Sequence, residues 1–126
     1  MKSSLPSPNK SDIRRFQIIY ETGCIATRLL GLGYNSPDIH HILSGGKRIS
    51  HQHTIGLSPY HHRGIISTGF TKEQMYDRLG PSMALNPKEF EERFGTQEYL
   101  LSIQNEIIDK YMENFIDGTQ KEKCNF

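Results

Sequence analysis

The chain has 126 residues and a formal net charge of +1, with 35% apolar and 23% charged residues. This length and composition are typical of a single ordinary globular domain. They argue against a globally basic nucleic-acid binder, so any contact with nucleic acid must come from local clusters of cations.

The beginning of the chain predicts an arm followed by a helix. Residues 1–10 are rich in Ser, Pro and Lys, which predicts a disordered arm. They include no apolar core of a secretory signal, and no run in the chain approaches 18 apolar residues, so we expect neither a signal nor a membrane span. Ser11-Asp12 offers an N-cap for a helix at about 12–21, ended by Gly23. The apolar segment 29–33 favours a turn and a short strand.

The middle of the chain predicts two short strands and a brief helix. Residues 38–43 can be extended, and Ser44-Gly45-Gly46 predicts an abrupt turn. Alternation along this strand would turn His40 and His41 to opposite faces. A second strand or extended loop follows at 54–58. Ser58-Pro59 can then open a short helix that stops near Gly64.

The C-terminal half predicts helices. Thr71 begins a capping box for a helix to about Leu79, and Pro87 begins another to Phe94. Thr96 caps the longest helix, to about 115 or 116, with an apolar stripe of Leu100, Ile103, Ile107, Ile108, Tyr111 and Phe115. We therefore expect an α+β domain at 11–117, mostly helical in its C-terminal half, followed by a flexible tail at 118–126.

All six histidines of the chain lie between His40 and His62. Imidazole is the commonest metal ligand and the side chain that titrates nearest neutral pH, so this concentration indicates metal binding or proton transfer. The pattern is that of a ββα hairpin around one metal. Its first strand would supply one ligand and a base, and its helix a second ligand. Two protein ligands leave positions open for water and substrate, as in catalytic sites.

The residues that carry this pattern are His-His-Ile at 40–42, Ser-Gly-Gly at 44–46, and the run from His53 through Leu57 and Ser58 to His61-His62-Arg63. They resemble the HNH (ββα-metal) endonuclease motif and, more narrowly, the phage recombination-enhancement, RecA-dependent nucleases. In those nucleases Gly-Cys-x-x-Cys precedes Ile-His-His, and Leu-Cys-x-x-His-His-Arg-Gly closes the motif. The resemblance covers about residues 22–70 and extends more loosely to 94–97.

The resemblance implies a role for each matching residue. His40 and His62 would ligate one divalent ion, Mg²⁺ or Mn²⁺, with Zn²⁺ or Ni²⁺ as alternatives. His41 would be the general base, and His53, at the usual Asn position, would orient it. Arg63 would contact a phosphate, and Lys47 and Arg48 are further candidates for nucleic-acid contact.

The sequence departs from the family pattern at a second metal site. The structural-zinc half-sites read Cys24-x-x-Thr27 and Ser58-x-x-His61, so only Cys24 and His61 could be ligands. Because two ligands do not close a tetrahedral site, we expect no structural zinc, with Cys24 and His61 as its remnants. Thr27 and Ser58 would replace the metal with hydrogen bonds, and Cys24 would be a small buried apolar residue. His51 would be an exposed bystander, with a third zinc ligand as the alternative.

The histidine pattern favours a metal-dependent DNA endonuclease of the HNH type, and the resemblance implies that it acts with the RecA filament on recombination intermediates. Its implied setting is the cytoplasm of a bacterial host, encoded by a phage or prophage, as a monomer or weak dimer that does not bind membranes. The alternative is a catalytically degenerate HNH fold that serves as a nucleic-acid-binding or phage assembly module.

Overall fold

The computed structural model describes residues 5–125, with side chains described for 5–114. Over this part of the chain the fold is α+β, with six helices and two small antiparallel sheets. No helix within it is long and apolar enough to cross a membrane. The predicted tail at 118–126 lies beyond the last residue whose side chain is described. The division into arm, domain and tail stays a prediction.

Helix α1 spans Lys10–Thr22 and begins earlier than predicted. Its cap is Asn9, whose Oδ1 accepts the backbone N–H of Asp12, while the Asp12 carboxylate accepts the backbone N–H of Asn9. Asp12 is therefore the third residue of a capping box and not part of the cap itself. Gly23 ends the helix as predicted, with φ +89°.

Helix α2, Ile25–Leu29, was not predicted. The Sγ of Cys24 accepts the backbone N–H of Thr27 at 3.4 Å and caps its first turn. Cysteine is not among the usual N-cap residues, so the sequence carries no ordinary start signal here. The short strand expected at 29–33 is wrong, because this segment begins inside the last turn of α2 and continues without a strand.

The first sheet pairs β1 (Asp38–His41) with β4 (Thr54–Leu57), so that His40 lies opposite Ile55 and His41 opposite Thr54. Between them β2 (Leu43–Ser44) and β3 (Lys47–Arg48) form a small second hairpin. Gly45 and Gly46 both have positive φ, +62° and +80°, as a two-residue type I′ turn requires. The turn was predicted, whereas β3 was not.

The remaining helices begin where the sequence predicts. Helix α3 is Pro59–Arg63, α4 Lys72–Leu79, α5 Pro87–Phe94 and α6 Gln97–Asn125. Ser58 caps α3, and Gly64 ends it in the left-handed conformation. The backbone of α6 continues past the predicted end at 115 or 116. Of its predicted apolar stripe, Leu100 and Ile108 are buried, and the Phe115 side chain lies outside the described residues.

The core lies between the β1–β4 sheet and the helices around it. The larger buried cluster joins α2, the strands, α5 and α6 through Cys24, Ile25, Ala26, Ile42, Ile55, Leu57, Phe90, Phe94 and Leu100. A smaller one joins α1 to α6 through Ile18, Ile19 and Ile108. At Gly56 a Cβ atom would lie 2.6 Å from Ile19 Cγ2, so glycine lets α1 pack closely on β4. This packing fixes the sheet that carries the histidines.

Candidate active site

Three segments bring the histidines together: strand β1, the loop before β4, and helix α3, which follows β4 directly. The capped start of α3 fixes its first turn against the sheet. The side chains of His40, His41, His51 and His62 form what we call the open site. Each ring is partly exposed.

His40 and His62 lie against each other. Their ring centroids are 4.9 Å apart with the planes at 64°. The Nε2 atom of His40 lies 2.9 Å from Oε1 of Gln97, at the start of α6. Burial lowers the pKa of His40, and the charge of His62 lowers it further against the opposing effect of the Gln97 hydrogen bond. Burial therefore favours the neutral form of His40, which is the form that ligates metals.

Asp38 connects His62 to Arg63. His62 Nδ1 lies 3.0 Å from Asp38 Oδ2, and Arg63 donates from Nε to the same oxygen at 2.8 Å. Burial raises the pKa of the Asp38 carboxyl, but hydrogen bonds from Arg63 and His62 outweigh this effect and hold it below its usual value. A carboxylate can only accept, so His62 Nδ1 carries the hydrogen of this bond, and the neutral tautomer of the ring would keep its lone pair on Nε2. Within the described residues, that atom has no hydrogen-bond partner.

His41 contacts His51 rather than His53. The distance between His41 Nε2 and His51 Nδ1 is 3.0 Å, and both rings meet the edge of Phe16. Burial and the nearby charges of Arg48, His51 and His40 lower the pKa of His41 to about 4. At neutral pH the ring is therefore uncharged and able to accept a proton.

His53 has other partners. Its Nδ1 lies 2.7 Å from the Ser50 hydroxyl, and its backbone carbonyl accepts the N–H of Ile42, next to His41. Its ring forms no hydrogen bond with His41. His53 therefore contacts the strand next to His41 only through its backbone carbonyl. The side chain that hydrogen-bonds to the His41 ring is that of His51.

The cations differ in their surroundings. Lys47 and Arg48 are exposed on the β2–β3 hairpin, and Arg48 lies near enough to His41 to lower its pKa. Arg63 is exposed over about half of its side chain, 55%, but is engaged by Asp38. The hairpin cations are free of such an ion pair among the described residues.

Cys24, Thr27, Ser58 and His61, the four positions of the zinc half-sites, form a buried cluster. All four residues are at most 3% exposed. His61 Nε2 donates to the carbonyl of Leu79 at 2.8 Å, and its Nδ1 lies 2.8 Å from Ser58 Oγ and 3.5 Å from Cys24 Sγ. Burial raises the pKa of the Cys24 thiol, but the hydrogen bond and charge of His61 and contacts from Thr27 lower it to about 7. Every polar atom of the His61 ring has a partner here.

A family model matches most of the chain. The model for recombination enhancement, RecA-dependent nuclease matches residues 8–109. This chain belongs to that family. No curated protein and no solved structure matches the chain. The matched residues of this RecA-dependent nuclease family member include α1 and all six histidines.

Sequence reasoning missed the role of His51 in this family member's open site, where an exposed bystander was expected, and missed two residues that bind its rings, Asp38 and Gln97. Asp38 could have been found, because it lies two positions before His40 on a strand and so shares its face. Gln97 and His51 carry no comparable signal, since both reach the site only through tertiary packing. Within the described residues, no group of three or more His, Cys, Asp or Glu side chains is placed to hold a metal ion.

Proposed function

We propose that the chain is a metal-dependent DNA endonuclease of the HNH type that acts on RecA-bound recombination intermediates. The observation that carries this proposal is the β1–β4 pair followed directly by α3, which brings His40 and His62 to a centroid distance of 4.9 Å beside His41. The family's name, which is that of a RecA-dependent nuclease, supports the reaction class and the substrate.

A divalent ion, Mg²⁺ or Mn²⁺ with Zn²⁺ or Ni²⁺ as alternatives, would be held by His40 and His62. The donor set fits, because the Asp38 carboxylate holds one ring nitrogen of His62 and Gln97 holds one of His40, which leaves the second nitrogen of each ring for the metal. When bound, the ion supplies Lewis-acid polarisation of a phosphate oxygen and stabilises charge on the leaving oxygen. With two protein ligands, water and phosphate would fill the other positions.

His41 is the proposed general base. It takes a proton from the attacking water, and its neutral state at pH 7 follows from the lowered pKa. Its neighbour Arg48 is placed to neutralise part of the charge of a phosphate that approaches this ring, and Lys47 extends the same cationic hairpin. Arg63 would reach a phosphate only by sharing or releasing Asp38.

The deciding experiment is a nicking assay with two DNA substrates, naked supercoiled plasmid and duplex paired with a RecA-coated single strand. We expect cleavage that requires Mg²⁺ or Mn²⁺ and that falls by about 10²–10⁴-fold in His41→Ala, since general-base catalysis is of that size. Lys88→Ala, at an exposed position of α5, is the control and should cut like the wild type.

Two results would contradict the proposal. If wild type and His41→Ala are equally inactive with every metal and both substrates, the chain is no nuclease. If it binds DNA without cutting, the degenerate nucleic-acid-binding module is the better description.

A further inference from the structure

A chain of hydrogen bonds runs from the proposed base to the N-terminal arm. His41 Nε2 lies 3.0 Å from His51 Nδ1, and His51 Nε2 lies 2.8 Å from the backbone carbonyl of Pro6. The arm segment before α1 therefore reaches the open site through one backbone oxygen, 45 residues away in sequence from His51.

The carbonyl at the end of this chain determines where the protons lie. A backbone carbonyl can only accept, so His51 Nε2 must carry a hydrogen. In neutral His51 the other nitrogen, Nδ1, then bears a lone pair and accepts from His41 Nε2–H. Neutral His41 is thereby left with its lone pair on Nδ1. Among the described residues, this Nδ1 has no hydrogen-bond partner.

We infer that His51 is a positioning residue that fixes the tautomer of His41 and makes Nδ1 the nitrogen that accepts the proton of the attacking water. This inference rests on the proposed function of His41 as the general base. It assigns to His51 the orienting role that the sequence pattern gave to His53, whose ring is bound by Ser50.

The surroundings hold the two rings in this arrangement. The Phe16 ring meets both edge-on, with centroid distances of 6.2 Å to His41 and 5.8 Å to His51. The backbone carbonyl of His51 accepts the hydroxyl of Thr54 at 2.8 Å. Thr54 is fully buried and lies directly opposite His41 in the sheet, so the residue paired with the base also anchors its partner.

The arrangement also supports the proton-transfer step. A proton passes from water to His41 Nδ1, while the water oxygen forms a bond to phosphorus and the bond from phosphorus to the leaving oxygen breaks. The leaving oxygen takes a proton from solvent. The charge that develops on His41 strengthens its hydrogen bond from Nε2 to His51 Nδ1, because hydrogen bonds from charged donors are stronger.

The direct test is the tautomer, read from the ring ¹⁵N chemical shifts of His41 in ¹⁵N-histidine-labelled full-length protein. We expect a protonated Nε2 and a bare Nδ1 in the wild type at neutral pH. His51→Phe removes the acceptor and should mix the tautomers, whereas His51→Asn keeps an acceptor atom near the position of Nδ1 and should restore the wild-type shifts.

Cleavage kinetics give the second readout. The kcat of His51→Phe should fall by about 10- to 100-fold, the size of the loss when a metal-ligating histidine loses its hydrogen-bond partner, with KM unchanged. His51→Asn should recover most of this loss. The control is Gln52→Ala, next in sequence, whose side chain binds Asp12 on α1 instead.

The outcomes separate this inference from the proposed function. A His41 ring that carries its proton on Nδ1 in the wild type overturns the inference whether or not DNA is cut, and this measurement needs no variant to fold. Equal losses in His51→Phe and His51→Asn with unchanged His41 shifts would make His51 merely structural and also overturn it. If the tautomer is as inferred but the wild type cuts neither substrate, the proposed function fails, and His51 has no base to position.

Discussion

His61 and His62 are adjacent in α3 but belong to different regions of the molecule. His61 is fully buried in the cluster with Cys24 and Ser58, and both of its ring nitrogens have partners. The His62 side chain is 24% exposed and uses one nitrogen on Asp38. The saturated hydrogen bonds of His61 inside the core stabilise the fold, whereas a histidine that keeps a free nitrogen near solvent can bind a ligand. Here burial and the number of hydrogen-bonded ring nitrogens, rather than position in the sequence, distinguish a structural histidine from one that can bind a ligand.

The difference between the two histidines can be tested by replacing each of them with alanine in turn. His61→Ala leaves a cavity and deprives the Leu79 carbonyl and the Ser58 hydroxyl of a buried partner, so we expect about 3 kcal/mol less free energy of unfolding. His62→Ala, the matched control, should cost about 1 kcal/mol or less, because Asp38 keeps Arg63. Urea denaturation measures both.

The same pair should behave in the opposite way in the nicking assay. His61→Ala that is still folded should retain cleavage, and His62→Ala should lose it. Similar stability losses in the two variants would show that the buried cluster and the open site are not distinct.

Asp38 offers a test within the open site. Asp38→Asn keeps the shape of the side chain but removes the charge that holds His62 and Arg63. We expect Mn²⁺ affinity, measured by calorimetric titration, to fall by about 10- to 100-fold, as for other carboxylates that support a metal-binding histidine. Glu106→Gln, on α6, is the control and should bind as the wild type does. Unchanged affinity in Asp38→Asn would argue against His62 as a ligand.

The cationic hairpin tests whether the open site faces nucleic acid. Replacing both Lys47 and Arg48 with Ala should lower the slope of log affinity against log salt by about 1.8 for duplex DNA, if each contacts one phosphate. Fluorescence anisotropy at several salt concentrations gives this slope, with Lys88→Ala as the control. A slope unchanged by the double substitution would place the DNA elsewhere.

The secondary structure could be predicted from the sequence only where an element has a local signal. Elements with local signals were predicted: the Gly45-Gly46 turn, the Ser58 cap of α3 and the Thr71 capping box of α4 are each determined by residues that contact one another within a few positions. Helix α2 was missed, because its cap is a thiol. Local chemistry determines such elements, so the α+β class followed from them.

The candidate site could be predicted only in part. The positions of His40, His41 and His62 followed from the motif, but their partners did not. His51 reaches His41 from a loop, and Pro6 reaches His51 from the arm, so the contacts depend on how α1 and its leading segment pack on the sheet. No spacing in the sequence encodes a contact of that kind.

The smallest expected effect is a dependence of stability on pH that arises in the open site. Burial and then the charges of Arg48, His51 and His40 lower the pKa of His41 to about 4 in the folded protein, against an ordinary value near 6.5 in the unfolded chain. Between these two values the unfolded chain binds more protons than the folded one. The free energy of unfolding therefore falls as the pH is lowered through this window, and the loss is complete below about pH 4.

Because His41 is only half-buried, solvent screening reduces its share to on the order of 1 kcal/mol. Urea denaturation at several pH values should show a shallower decline in His41→Gln than in the wild type, and the wild-type decline in Lys88→Ala, at an exposed position of α5. A decline that His41→Gln leaves intact would assign the effect to other groups whose pKa is lowered, namely His40, Asp12 or Asp38. It would also remove the evidence that His41 is the uncharged ring on which the proposed base chemistry depends.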